Sequence, residues 1–370
     1  MQLEERINAF VQLGKFLGQF SYSPDKPARP TGGALGSMWA ESSEKGSDIL
    51  HNDEFYEGML QQLEAAKNHN GWFTPDNLSF ACQSWSEALS EASIQKWISA
   101  YDFNVVTQKR VAIIMAGNVP LVGFHDFLSV LMSGHKVVVK LSSKDKQLLP
   151  FLAKYLTAVA PQFDGSISFT ENRLQDFEAV IATGSNNTTR YFDHYFGKYP
   201  HIIRNNRNSI AVLTGNETKE QMEALANDIF RYFGLGCRNV SKLYIPTDFN
   251  KDLFFNGMFS WQRMINNNKY INNYDYNKAV YLMSNFDLLD NEFMLLKEDE
   301  GYSSPISVVF YENYTSLDSI ALKLEQDANK IQCIVSTAGL KNEISFGKAQ
   351  SPELWDYADN EDTIKFLLEL

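Results

Sequence analysis

The sequence predicts an α/β protein of two doubly wound α/β domains. Three observations carry this expectation. Val111-Ala112-Ile113-Ile114-Met115 and Lys136-Val137-Val138-Val139-Lys140 are apolar runs of strand length, and between them Leu121 to Met132 has helical spacing. Strand, helix and strand within about 30 residues make a βαβ unit, which implies a parallel sheet. The pattern then repeats: a helical stretch from Asp145 to Ala158, a short strand at Ser166 to Phe169, and a buried strand from Phe177 to Ala182 that stops on Thr183-Gly184-Ser185. The third observation is a second α/β series downstream, with strands at Ser209 to Leu213 and Ser241 to Ile245 around a helix from Glu217 to Tyr232.

Taken from the amino terminus, residues 1–100 mix helical spacing (Ile7, Phe10, Val11, Leu13, Phe16, Leu17) with a Pro/Gly/Ser-rich gap from Ser23 to Gly36. Helices joined by a long loop are expected, with Trp72, Trp85 and Trp97 anchoring their packing. The start of the chain lacks the basic and apolar regions of a secretory signal, and no apolar run is long enough to cross a bilayer, so a cytoplasmic protein is expected. A formal charge of −12 argues against a nucleic-acid partner, although a local basic pocket for a small anion fits within it. Cys82, Cys237 and Cys333 form no C-x-x-C pair, and the chain has no H-E-x-x-H, so neither a disulfide framework nor a metal site is signalled.

Ligands of doubly wound sheets bind at the carboxyl ends of the strands. Asn118, Lys140 and the Thr183-Gly184-Ser185 turn all fall there, but no G-x-G-x-x-G follows the first strand, so the ordinary dinucleotide fingerprint is missing. The stretch Tyr232-Phe233-Gly234-Leu235-Gly236-Cys237-Arg238-Asn239 is the other candidate for chemistry. A reactive thiol needs an exposed, electropositive setting, which two glycines and Arg238 can supply. A buried core thiol is the alternative for Cys237, and a turn asparagine before proline is the alternative for Asn118. Cys82 and Cys333 have the surroundings of structural cysteines.

With these segments in order, the chain resembles the aldehyde dehydrogenase superfamily, and within it the acyl-CoA reductases of the LuxC family. The superfamily's Trp-Asn-x-Pro turn corresponds to Gly117-Asn118-Val119-Pro120, its Lys-Pro-Ser/Ala to Lys140-Leu141-Ser142, and its Phe-Thr-Gly-Ser to Ala182-Thr183-Gly184-Ser185. Its Gly-Gln-x-Cys nucleophile turn corresponds to the stretch ending in Cys237, and the likeness runs from about Arg110 to Thr337. The resemblance implies an aldehyde-dehydrogenase-like fold, with the two domains facing one another across a cleft that holds the active site, in which Cys237 attacks a carbonyl carbon while the Asn118 amide and the Cys237 backbone N–H hold the oxygen. It also implies that Lys140, Ser142, Ser143 and the turn of Thr183, Gly184 and Ser185 bind a nicotinamide cofactor. Glu300, in Asp299-Glu300-Gly301-Tyr302, matches the segment whose glutamate contacts the nicotinamide ribose; a plain surface glutamate is its alternative.

Two departures from the superfamily refine this. NAD-preferring relatives often carry a glutamate where this chain has Ser143 followed by Lys144, which favours NADPH over NADH. Hydrolytic aldehyde dehydrogenases carry a general-base glutamate upstream of the cysteine, and the corresponding stretch here is Arg204-Asn205-Asn206-Arg207-Asn208. Neither arginine nor asparagine is a general base at neutral pH. NADPH-dependent reduction of a long-chain acyl-CoA to the aldehyde is therefore expected. An aldehyde or semialdehyde dehydrogenase and a non-catalytic acyl-binding subunit are the alternatives.

The expected organisation is a helical region over 1–100, a dinucleotide-binding domain over 101–207, a catalytic domain over 208–340 and a tail over 341–370. His194 and His201 are candidates for an acid or base, and His125 for a packed histidine. The Asn- and Tyr-rich stretch Asn266 to Tyr276 shows no clear period, and its aromatics either line an acyl tunnel or pack a loop. The amphipathic end Ile364 to Leu368 is expected to dock on a partner, either a second copy or an acyl-transfer protein.

Overall fold

Short apolar runs bounded by polar turns form parallel strands buried on both faces, as such runs do when helices cover a sheet on each side. The computed structural model describes residues 1–22, 39–40, 48–103, 107–184, 192 and 194–370. The chain divides into two units, Met1–Asn205 with Glu353–Leu370, and Asn206–Pro352. The gap expected over 23–36 lies outside the described residues, as does Ser185.

In the first unit, β1 (Arg110–Ile114), β2 (Lys136–Lys140), β3 (Ile167–Phe169), β4 (Ala179–Thr183) and β5 (His201–Arg204) form a parallel sheet in the order β3-β2-β1-β4-β5. Alternate residues serve opposite faces. Val111, Ile113, Val137, Val139 and Ile181 join the large core, while Ala112, Val138, Val180 and Ala182 join a smaller one with Leu174. The large core is completed by α1 (Leu3–Leu17), α2 (Asn52–His69), α3 (Pro75–Ala88), α4 (Glu91–Ile98), α5 (Phe124–Met132) and α6 (Leu148–Val159). Thr74 caps α3 ahead of a proline at its first position, the pairing that favours a helix start.

The tryptophans anchor this packing as expected: Trp97 donates to the Tyr357 hydroxyl at 2.7 Å, and Trp85 meets Phe124 edge-on. Cys82 is buried in the same core, and burial pushes its thiol up to about 12, which fits a structural role. Two helices start later than the spacing predicts. Leu121 has a left-handed φ of 56°, so α5 cannot begin before it. The Asp145 carboxylate accepts from the Leu121 N–H at 3.2 Å, which ties Asp145 into the preceding turn and delays α6 to Leu148.

The end of the chain also differs from expectation. The helix Thr363–Leu368 lays Ile364 and Leu367 into the core of the first unit, so its apolar face is covered within its own unit. Arg204 secures the junction, donating to Asp126 at 2.6 Å, Thr363 Oγ1 at 3.0 Å and the Ala358 carbonyl at 2.7 Å.

In the second unit the strands are β6 (Asn208–Val212), β7 (Val240–Pro246), β8 (Leu288–Asp290), β9 (Leu295–Glu298), β10 (Val308–Tyr314), β11 (Ile331–Val335) and β12 (Glu343–Ile344). Their order is β8-β9-β10-β7-β6-β11-β12, with β8 antiparallel to its neighbour and the other pairs parallel. Cys333 is buried in β11, as its flanks predict. The helices are α7 (Lys219–Phe230), α8 (Lys251–Met258), α9 (Asn268–Met283) and α10 (Leu317–Gln326). α9 replaces the aperiodic stretch expected at 266–276. Its inward stripe is Tyr270, Tyr274 and Asn277, which hydrogen-bond to the Phe293 carbonyl, Asp290 and the Ile306 carbonyl. The helical period is present, but polar and aromatic residues carry it.

α7 starts in a capping box between Thr218 and Gln221. Near its end, the fully buried Asp228 accepts from the backbone N–H groups of Gly347 at 2.6 Å and Ala349 at 2.9 Å. Burial raises its carboxyl to about 7 in spite of those two donors.

Removing one partner of the Arg204–Asp126 pair strands a buried charge, so Asp126→Ala should lower unfolding free energy by about 3–5 kcal/mol in urea titrations. Asp228 gives a pH dependence. Its folded pKa lies above that of an unfolded aspartate, so the stability it confers is full below about pH 4 and is lost as pH rises through about 7. Asp228→Asn should flatten that component between about pH 4 and 7, and parallel urea-midpoint curves for the two proteins would contradict it.

Candidate active site

The turn between α7 and β7 is held in a conformation that most sequences avoid. Tyr232, Phe233 and Gly234 have φ values of 55°, 59° and 75°, three successive left-handed residues of which only one is glycine. Such a conformation costs about 1–3 kcal/mol per non-glycine residue and persists only where its surroundings impose it. Burial of the Tyr232 and Phe233 side chains, with Phe233 against the Tyr270 ring, is one such constraint.

Asn239 is the other. Its buried side-chain amide donates to the carbonyls of Asp228 at 3.1 Å, Ile229 at 3.2 Å and Arg231 at 2.7 Å, while its Oδ1 accepts from the Gly236 N–H at 2.8 Å. One residue thereby satisfies the last carbonyls of α7 and fixes the backbone next to the cysteine. The sequence offers only an asparagine two places after Cys237 as a hint of this.

Cys237 sits in the turn so formed and is exposed, whereas Cys82 and Cys333 are buried. The alternative of a core thiol therefore does not hold for Cys237. Its carbonyl accepts from Ser209 Oγ at 3.0 Å. Arg238 donates through Nε to the Ala349 carbonyl at 2.7 Å, so Asp228, by ordering 347–349, also places the guanidinium.

Glu300 belongs to the same unit and is exposed. It lies in the connection from β9 to β10, and Ser241, four residues after the cysteine, holds this connection by donating to the Tyr302 carbonyl at 2.6 Å. A pocket of about 330 Å³, counted with its solvent-open space, is lined by both segments, through Phe233 and Gly234 and through Ile306, Ser307 and Val308, and by Tyr270. The Ser307 hydroxyl is buried and has no hydrogen-bond partner among the described residues.

In the first unit, Asn118 and residues expected to bind cofactor lie at the carboxyl ends of three adjacent strands, β2, β1 and β4. Asn118 follows β1, Lys140 ends β2, and Thr183 ends β4 with Gly184 after it; all four are half-buried. Gly117 passes so close to the β2 turn that a Cβ there would lie 2.5 Å from Ser142 Oγ, so glycine is required for the two turns to meet. The end of α2 pins the same turn: His69 Nε2 lies 2.6 Å from the Ser143 carbonyl, and Asn70 donates to the Lys144 carbonyl at 3.3 Å. Ser143 and Lys144 are left exposed at its tip.

His201 begins β5, at the amino edge of the sheet, with its ring nitrogen on the Tyr199 carbonyl. It is thus away from the strand ends where the other candidates gather. His194 is exposed beside Tyr195. His125 is packed, as expected, against Trp97 and Tyr357, with Nε2 2.9 Å from the Leu354 carbonyl. In the stretch read as lacking a general base, Arg204 is consumed by its buried pair with Asp126.

Aldehyde dehydrogenase 21 from Physcomitrella patens, solved with succinate, is similar in fold: TM-score 0.65 at 12% identity, over 100% of this chain and 84% of that one. A putative aldehyde dehydrogenase, PutA, from Anabaena variabilis gives 0.61 at 15% identity over 91% and 75% of the two chains. The indole-3-acetaldehyde dehydrogenase AldA of P. syringae, solved with NAD+ and IAA, gives 0.61 at 13% identity over 95% and 75%. These likenesses establish the aldehyde-dehydrogenase-like fold that the resemblance implied. No curated protein matches the sequence. The family model described as Acyl-CoA reductase (LuxC) matches residues 52–253, more than half of the chain. The chain therefore belongs to the LuxC family of acyl-CoA reductases, which are oxidoreductases.

Proposed function

We propose that the protein reduces a long-chain acyl-CoA to the aldehyde with NADPH, through an acyl-enzyme on Cys237. The observation that carries this reading is the exposure of Cys237 in a turn whose preceding backbone is fixed by the Asn239 side chain. In the first half-reaction the Cys237 sulfur, as thiolate, attacks the thioester carbonyl carbon. The bond from that carbon to the CoA sulfur breaks, and CoA leaves as a thiol after taking up a proton. The Cys237 backbone N–H is a donor for the oxygen that becomes negative, the kind of interaction commonly worth about 10²–10³ in rate, and the Asn118 amide is assigned to the same oxygen from its place in the motif.

The second half-reaction needs a hydride, and NAD+ accompanies the fold in the P. syringae enzyme. The groups at the carboxyl ends of β2, β1 and β4 suit a dinucleotide: the Lys140 ammonium and the hydroxyls of Ser142 and Thr183 match ribose and phosphate oxygens, and Gly117 and Gly184 allow close approach. Ser185 is assigned with them from its place in the motif, and Glu300 is assigned to the nicotinamide ribose. When bound, the reduced nicotinamide supplies the hydride to the acyl carbon. The Cys237 sulfur then leaves the resulting thiohemiacetal as the aldehyde carbonyl forms. With Arg204 locked to Asp126, the upstream stretch offers no carboxylate to activate water there, which favours reduction over hydrolysis. Ser143 and Lys144, exposed at the turn tip, favour the 2′-phosphate of NADPH over the bare hydroxyl of NADH.

Two outcomes test this. Intact-mass measurement after mixing with palmitoyl-CoA should show one added acyl group that Cys237→Ala abolishes and that NADPH discharges as aldehyde. Carboxylate formation independent of CoA would instead identify a hydrolytic aldehyde dehydrogenase. Ser143→Glu should raise the KM for NADPH by about tenfold or more relative to NADH, since one lost charge-assisted contact is worth about 1.5–3 kcal/mol. An unchanged KM ratio would remove the turn tip from cofactor selection.

A further inference from the structure

Lys242 lies on β7, a central strand of the second unit, with a side chain 0% exposed to solvent. Burial pushes the ammonium's pKa down, against the carboxylate of Glu312 at 2.8 Å. That carboxylate is already paired with Lys323 at 2.5 Å, so balancing Glu312 does not require a lysine at 242. An apolar side chain would pack there at less cost in desolvation. What the ammonium supplies in addition is a hydrogen bond to the Asp299 carbonyl at 3.0 Å.

Asp299 is the residue before Glu300, and the segment around it is pinned at every neighbour. Lys297 donates to the Asp299 carboxylate, whose Oδ1 accepts from the Gly301 N–H at 2.8 Å. Ser241, adjacent to Lys242, holds the Tyr302 carbonyl, and the Tyr302 hydroxyl donates to Asp327 at 2.6 Å. Glu300 is thus an exposed carboxylate on a backbone fixed before and after it, with two of the supports coming from consecutive residues of one strand.

We propose that Lys242 is a positioning residue that holds the 299–302 backbone so that the Glu300 carboxylate is presented to the ribose hydroxyls of the nicotinamide cofactor. The proposal rests on the assignment of Glu300 made under the proposed function. Acting through Glu300, Lys242 affects the cofactor half of the reaction and leaves attack by Cys237 on the thioester untouched.

Lys242→Met, Glu300→Gln and the double variant are compared in two assays: steady-state KM for NADPH, and the rate of Cys237 acylation by palmitoyl-CoA without cofactor. The expected result is a rise in NADPH KM of about tenfold or more in each single variant, the scale on which misplacement of a binding group acts, with acylation unchanged. The double variant should be no worse than the worse single one, because both act through one contact. Ser241→Ala, which removes no charge, should raise the same KM and carries the test if Lys242→Met does not fold. Additive losses, or acylation slowed in step with the KM change, would overturn the proposal by making Lys242 a general support of the sheet. A normal KM in both Lys242→Met and Ser241→Ala, with Glu300→Gln impaired, sinks the proposal alone. A normal KM in Glu300→Gln sinks the assignment of Glu300, and the proposal with it.

Discussion

The second unit depends on how one asparagine restrains the end of a helix. Left to itself, a chain leaving α7 would spread its last carbonyls into water and relax Tyr232 and Phe233 out of the left-handed region. The Asn239 side chain gathers three of those carbonyls and the Gly236 N–H at once, and burial means that water cannot replace any of them cheaply. The strain is local and the restraint is local, so the turn that carries Cys237 is rigid although the thiol itself is exposed. Rigid backbone beside an accessible thiol is what the proposed carbonyl attack demands.

The same logic organises the surrounding polar groups. Asp228 orders the 347–349 backbone, which in turn holds Arg238; Ser209 holds the Cys237 carbonyl; Ser241 and Lys242 hold the segment bearing Glu300. In the first unit, His69 and Asn70 do this for the turn after β2, and Gly117 lets the turn after β1 touch it. Cys237, Lys140 and Ser143 are exposed or half-buried, and each is placed by a neighbour's bond to its backbone carbonyl. This leaves the functional side chains available while their main chain is fixed.

Much of this was legible in the sequence for identifiable reasons. Val111 to Met115 and Val137 to Val139 read as strands because a sheet covered on both faces needs unbroken apolar runs. The glycines around Cys237 and the polar residues at strand ends pointed to the candidate site because backbone approach and ligand binding restrict residue type. Other features were hidden. α9 escaped detection because its buried stripe is Tyr270, Tyr274 and Asn277, which satisfy buried carbonyls and a carboxylate as well as filling space. Lys242 and Asn239 look like ordinary polar positions until the carbonyls they serve are seen. The end of the chain looked like a free amphipathic segment because the surface that covers Ile364 and Leu367 is made by residues hundreds of positions earlier.

The claim on which the account turns is that a covalent acyl group forms on Cys237 before any hydride is needed. The most direct measurement is rapid-mixing detection of free CoA thiol after adding palmitoyl-CoA in the absence of NADPH. The account predicts a burst approaching one equivalent of CoA per chain, followed by little further release. CoA release that waits for NADPH, with no burst, would contradict it.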